Sequence, residues 1–211
     1  MSFLRNHWYD LGGLLGIGVL VYLLRAGRSF TPYEYLMWLS LVALFCHQLE
    51  EYRVVGTFPG MVNRVMYQSG QPDRYPLNAQ TALVINVVVG WLFYFLAAVL
   101  GERAVWLGIA SMLVSLGNTI AHTLVFNLKG KTLYNAGLAT CWLLFVPCIS
   151  WFLYLLAGHP LARPLDYLLG IPVGLALNYV GIIKLIDWMK DPQTAFPFPP
   201  RNLLAGDRPL P

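Results

Sequence analysis

Charge is what this sequence has least of. Only 11% of its 211 residues are Asp, Glu, Lys or Arg, against roughly 25% in soluble domains. With 57% hydrophobic residues, a chain of this size carries more apolar surface than one water-soluble core can hide. The few charges are also unevenly spaced. None falls within 75–101, 104–128, 132–162 or 167–183, and two shorter uncharged runs, 11–24 and 35–49, come before these. A helix needs about 20 apolar residues to cross a hydrocarbon core of roughly 30 Å. Other absences exclude other classes. No short alternating segments suggest barrel strands, and no internal repeat is visible. The basic residues are scattered between the apolar runs, which argues against nucleic acid as a partner. Three cysteines form no CxxC. Cys141 and Cys148, seven apart, share a helical face and read as small packing residues.

What remains is an all-α polytopic transmembrane bundle of about six spanning helices, near 9–26, 33–53, 80–100, 104–127, 135–157 and 166–189. Charged residues at the span ends snorkel to the interface. The first run is not expected to be a cleaved signal, because Arg25-Ala26-Gly27-Arg28 is a poor small-residue cleavage site. With six spans, both termini and the second and fourth loops share one side. That side holds ten of the fourteen basic residues and the other holds four, Arg25, Arg28, Arg103 and Arg163. Basic excess marks the cytoplasmic side, so both termini are expected there. Residues 1–190 form one transmembrane domain, and 191–211 a cytoplasmic tail rich in Pro and Gly, expected extended or disordered. In the longest connection, 54–79, the stretch from Pro59 to Tyr67 has the pattern of a short amphipathic helix lying flat on that face.

Ionisable groups inside a span are costly and mark function. His47-Gln48-Leu49-Glu50-Glu51 ends the second helix, with both carboxylates one turn from the imidazole. Asn118-Thr119-Ile120-Ala121-His122 lies in the fourth, Asn118 and His122 again one turn apart. Both helices run toward the cytoplasm, so these groups share a depth, and Tyr134-Asn135-Ala136-Gly137 opens the fifth helix near the same level. Two His and two Glu in one half of a bundle suit a metal site or an acid/base pocket. Taken singly, each group has a plainer use: a wet helix end, a packing histidine, an interfacial tyrosine, an asparagine cap. Asn86 and Asn178 read as links between helices, and Lys184, Asp187 and Asp191 as an ion-pair series from which Asp187 is a minor site candidate. Gly12 and Gly16 form a small-xxx-small pattern for close helix packing.

These motifs resemble a family of small multi-pass membrane proteins named for its HXXEE motif, marked by HxxEE, NxxxH and YxPG in that order. Ala136 stands where the family has proline. The resemblance runs from the second to the fifth helix and implies an active site built from the three motifs. It implies no reaction.

From the chemistry, the leading expectation is a metal-dependent membrane enzyme acting on a lipophilic small molecule, with hydrolysis as the reaction such a centre suits. His47, His122 and Glu51 would ligate one divalent ion, zinc fitting the ligand set best, while the other glutamate acts as base. Glu50, Glu51, Asn118 and Tyr134 are the catalytic candidates. The logic is similar to that of prenyl-protein-type intramembrane proteases, whose full motif set is lacking here. Two alternatives stand beside it: a metal-free acid/base isomerase or cyclase using a carboxyl group of raised proton affinity, and a small proton-coupled transporter.

Overall fold

A computed structural model describes residues 2–26 and 29–209; Gly27 and Arg28, from the cleavage and charge readings above, lie outside the described residues, as do Leu210 and Pro211 of the tail. The described chain is all helix and loop. Its elements are α1 (Ser2–Ala26), α2 (Pro32–Leu49, running on as Glu50–Val54), a short α3 (Phe58–Gly60 with Met61–Met66), α4 (79–100), α5 (105–130), α6 (Leu138–Gly158) and α7 (Pro164–Met189). Local chemistry starts several of these. Thr31 and Glu34 form a reciprocal capping box ahead of Pro32, which satisfies two free N–H groups at the entry of α2. Asn78 Oδ1 accepts from Gln80 N and Thr81 N to start α4. Asp166 Oδ2 accepts from Arg163 N just before Pro164 opens α7.

Four continuous helical stretches, Phe3–Ala26, Ala79–Gly130, Leu138–Gly158 and Pro164–Met189, are long and apolar enough to cross a membrane. The second folds back at Gly101, whose φ of +52° is reached most readily without a Cβ. Tyr94 Oη then donates to Ser111 O and meets Ser115 Oγ, pairing α4 antiparallel to α5. The chain is an integral membrane protein. Its sixth long limb, α2, is missing from that set because Glu34, His47 and Gln48 lower its hydropathy within 32–49, and Glu50, Glu51 and Arg53 follow directly. It is also the most enclosed limb, buried almost continuously from Leu36 to Gln48, so its neighbours shield it from lipid.

Small residues let the limbs approach. A Cβ on Gly12 would come 3.0 Å from Trp91, and one on Gly13 2.7 Å from Leu49, so α1 lies close on α2 and α4. Gly170 and Gly174 seat α7 against Ile109 and Leu113 of α5. Asn86 bridges Gln48 and Tyr52, and Asn178 donates to Leu113 O of α5, both linking helices as expected. Tyr33 Oη reaches Val105 O where α2 and α5 begin. The two helices therefore run parallel and finish at the same end.

That end is covered. Helix α3 lies across it with Met61, Val62 and Asn63 buried. The tail is extended, yet it is packed rather than loose. Phe198 N–H donates to Asp73 O, Ala79 N–H to Phe196 O, and Asn202 Nδ2 to Tyr52 O and Gly56 O. Arg64 and Asp207 pair, and a Cβ on Gly60 would stand 2.7 Å from Leu204 N. Proline keeps this strand out of a helix, while Phe198 and Leu203, almost fully buried, anchor it. Arg201 reaches Asn6 O, so both described chain ends meet here.

Candidate metal centre

The last turns of α2 and α5 bring two imidazoles and one carboxylate together. The His47 and His122 rings stand 5.0 Å apart between centroids, nearly perpendicular. Glu51 Oε1 lies 3.5 Å from His47 Nε2 and 3.2 Å from His122 Nε2. All three residues are buried. Phe58 stacks on His122, Phe126 meets its edge, and Phe145 packs on His47. Glu51, His122 and Cys141 sit in widened, π-type turns. Such turns often accompany functional sites, but similar ones at 61–66, 84–91 and 179–184 show that widening alone does not mark one.

The far side of each imidazole is held by the segment that opens α6. His122 Nδ1 is 2.6 Å from Asn135 Oδ1, while Asn135 Nδ2 donates to His122 O and Asn127 Oδ1. The amide is thereby oriented with its oxygen toward the ring, so Nδ1 carries the proton. His47 Nδ1 is 2.9 Å from Thr140 Oγ1. That hydroxyl has one proton and lies 2.6 Å from Glu50 Oε2. A charge-assisted bond takes the proton, and the hydroxyl then accepts from His47 Nδ1–H. Both rings thus turn an Nε2 lone pair inward. Both Nε2 atoms are buried and without a hydrogen bond among the described residues. Lone pairs facing a carboxylate oxygen repel unless something positive lies between them.

The two separations from Glu51 Oε1 are those of ligand atoms around a metal ion. Ligand atoms about 2.0–2.1 Å from zinc stand about 3.3 Å apart at the tetrahedral angle, between the two separations measured around Glu51 Oε1. The imidazole–carbonyl and imidazole–hydroxyl–carboxylate links behind the rings are the outer support that metal-bound histidines have. Cys141 adds a further donor. Its Sγ lies 3.9 Å from His47 Nδ1, and ligating atoms of His47, His122 and Cys141 lie within 4.8 Å of one another. A His/His/Cys cluster able to hold a metal is therefore present.

The two glutamates differ. Glu50 does not face the histidines. Its Oε1 accepts from Tyr134 Oη at 2.6 Å and Ala139 N at 3.2 Å, and its Oε2 from Thr140 N at 2.8 Å as well as Oγ1. The carboxylate thus caps the start of α6, where free N–H groups favour an anion. The Tyr134 phenol is pushed up to about 12 by its burial and by the hydrogen bond to Glu50, so it stays protonated and donates.

Of the remaining sequence candidates, Tyr134 reaches the site through Glu50, whereas Asn118 makes no hydrogen bond to His122. Its amide donates to Val114 O and it lines a separate cavity. Asp187 lies exposed, paired with Lys190 and 4.0 Å from Lys184. Thr140, Cys141 and Phe58 were not legible as site residues. Asn135, read as part of the third motif with a helix cap as its plainer use, orients His122. Gly137, with φ +106°, is needed twice: for that backbone, and because a Cβ there would come 2.4 Å from His122 Cε1 and 2.8 Å from His47 Cε1. Ala136 is buried inside a turn closed by Leu138 N–H to Asn135 O, so the turn forms without the proline.

A family model described as a protein of unknown function with HXXEE motif matches residues 38–152, just over half of the chain. No curated protein and no solved structure matches it. The chain belongs to the HXXEE-motif family.

Proposed function

We propose that this HXXEE-family protein is a metal-dependent membrane hydrolase acting on a lipophilic substrate, its one divalent ion held by His47 Nε2, His122 Nε2 and Glu51 Oε1. Zinc is the best fit to two imidazoles and a carboxylate. The observation that carries this reading is the pair of buried, unbonded Nε2 atoms facing one carboxylate oxygen at 3.2 and 3.5 Å. Three protein ligands leave a fourth position for water or substrate, which distinguishes a catalytic zinc from a structural one. When bound, the ion supplies Lewis acidity and lowers the proton affinity of water.

The chain's own groups have separate tasks. Asn135 fixes the His122 ring, and Thr140, held by Glu50, fixes His47. Glu50 already accepts four hydrogen bonds, so it serves here as a positioning residue rather than as the base, with Tyr134 keeping it in place. Cys141 lies beside the Nδ1 of His47, which Thr140 occupies, so it is left outside the ligand set. The aromatic rings keep the centre dry, which strengthens every polar interaction in it. A metal-free acid/base centre or proton relay would need a proton shared between an imidazole and Glu51, and at 3.5 and 3.2 Å neither Nε2 makes a hydrogen bond. The ten-to-four excess of basic residues favours a cytoplasmic position for the site end and both termini.

The test is hydrolysis of long-chain esters and amides by the purified protein in lipid nanodiscs. Activity that a chelator removes and zinc restores supports the assignment. Activity indifferent to both would overturn it.

A further inference from the structure

Beside the centre lies a cavity of about 280 Å³ between α3, α5 and α7. Its walls are mostly apolar, among them Val62, Met66, Ile182 and Ile186. Two features separate it from the other grooves between limbs. First, Phe58 belongs both to this cavity and to the metal centre, where it stacks on His122 with centroids 5.4 Å apart. Phe126 likewise belongs to both, so two aromatic rings divide the hydrophobic space from the proposed ion. Second, the amides that line it, Asn118 and Asn178, are not bonded to each other, whereas Gln48 and Asn86 in the groove between α2 and α4 are. Asn178 donates through Nδ2 to Leu113 O and Gly174 O, which uses both of its N–H groups. Its Oδ1 accepts nothing among the described residues and rests over Gly117, where a Cβ would come within 2.0 Å of it. A free carbonyl at membrane depth is costly unless a donor meets it.

We propose that this cavity is the chain-binding site of the enzyme, and that its ligand is a single-chain lipid amide. The hydrocarbon lies against Val62, Ile182 and Ile186, and the amide N–H donates to Asn178 Oδ1 on the cavity side of Phe58. This inference rests on the hydrolase reading only in calling the ligand a substrate, while the cavity and its acceptor stand apart from it. An ester of equal length lacks the donor. One hydrogen bond lost at a desolvated acceptor corresponds to about tenfold in affinity.

The test uses a long-chain N-alkyl amide bearing a mid-chain diazirine, irradiated with the protein in nanodiscs and mapped by mass spectrometry, with zinc content measured on the same samples. Labelling should fall on α3 and α7 around Val62, Met66, Ile182 and Ile186. Unlabelled amide should compete about tenfold better than the matching ester. Ile182→Trp, which fills the cavity, should lose labelling and keep its zinc. Val62→Phe is a second filling variant from another wall, in case the first fails to fold. Labelling on the groove between α1 and α2 instead, or equal competition by amide and ester, would overturn the proposal. Correct labelling in protein that binds no metal would support the cavity and remove the hydrolase reading. Zinc-loaded protein without labelling would do the reverse.

Discussion

The two faces of the last turn of α2 are treated in opposite ways. On one, Glu50 is finished: each oxygen receives two donors from the start of α6. On the other, Glu51 Oε1 faces two imidazole nitrogens with no hydrogen bond to either. Neighbouring carboxylates of the same type therefore do different jobs. One is a structural anion at a helix start, and the other is the carboxylate of the proposed metal site. Desolvation makes the contrast sharp, because a buried carboxylate is tolerated only when paired or coordinated.

The largest effect expected from breaking this contrast is on the Glu51 face. Glu51→Gln and His122→Ala should each leave the purified protein without stoichiometric zinc by elemental analysis, while Glu50→Gln should keep it. Loss of zinc from Glu50→Gln with retention in Glu51→Gln would invert the assignment. Next comes the support behind the ring. Asn135→Ala frees the His122 tautomer and should weaken zinc binding by about 10–100-fold in a competition titration.

The Glu50 face should answer in stability instead. Glu50→Gln turns a charge-assisted acceptor into an amide against N–H donors and should cost about 2 kcal/mol, read as a lower Tm in detergent with zinc still bound. Tyr134→Phe removes one of the four donors and should cost about 1 kcal/mol. The smallness of this last effect is itself informative. A Tyr134→Phe protein that lost its zinc would mean the phenol does more than hold Glu50.

Much of this was readable in the sequence. The uncharged runs located the six long limbs to within a few residues, except that α1 begins at Ser2, well before residue 9. Its early residues Trp8 and Tyr9 pack on Tyr52 rather than on lipid, and hydropathy has no means of registering that. His47 and His122 could be brought together because two parallel helices carried them at matched depth. The division of labour between Glu50 and Glu51 could not be read, since helical spacing puts both within a turn of His47. It is decided by Thr140 and Ala139, whose N–H groups lie almost ninety residues away in the chain. Sharing a face with His122 gave the direction of Asn118 but not its place, which is in the cavity beyond Phe58. The tail was legible in part from composition. Its prolines read as an extended or disordered segment, and it is extended, but Phe196 and Phe198 hold it down against the bundle.

The most direct test of the central assignment is X-ray absorption at the zinc edge on the purified, zinc-loaded protein. Coordination by His47, His122 and Glu51 predicts a first shell of nitrogen and oxygen alone, at about 2.0–2.2 Å, with imidazole scattering behind it. A sulfur scatterer at about 2.3 Å would put Cys141 in the ligand set in place of Glu51, and would contradict it.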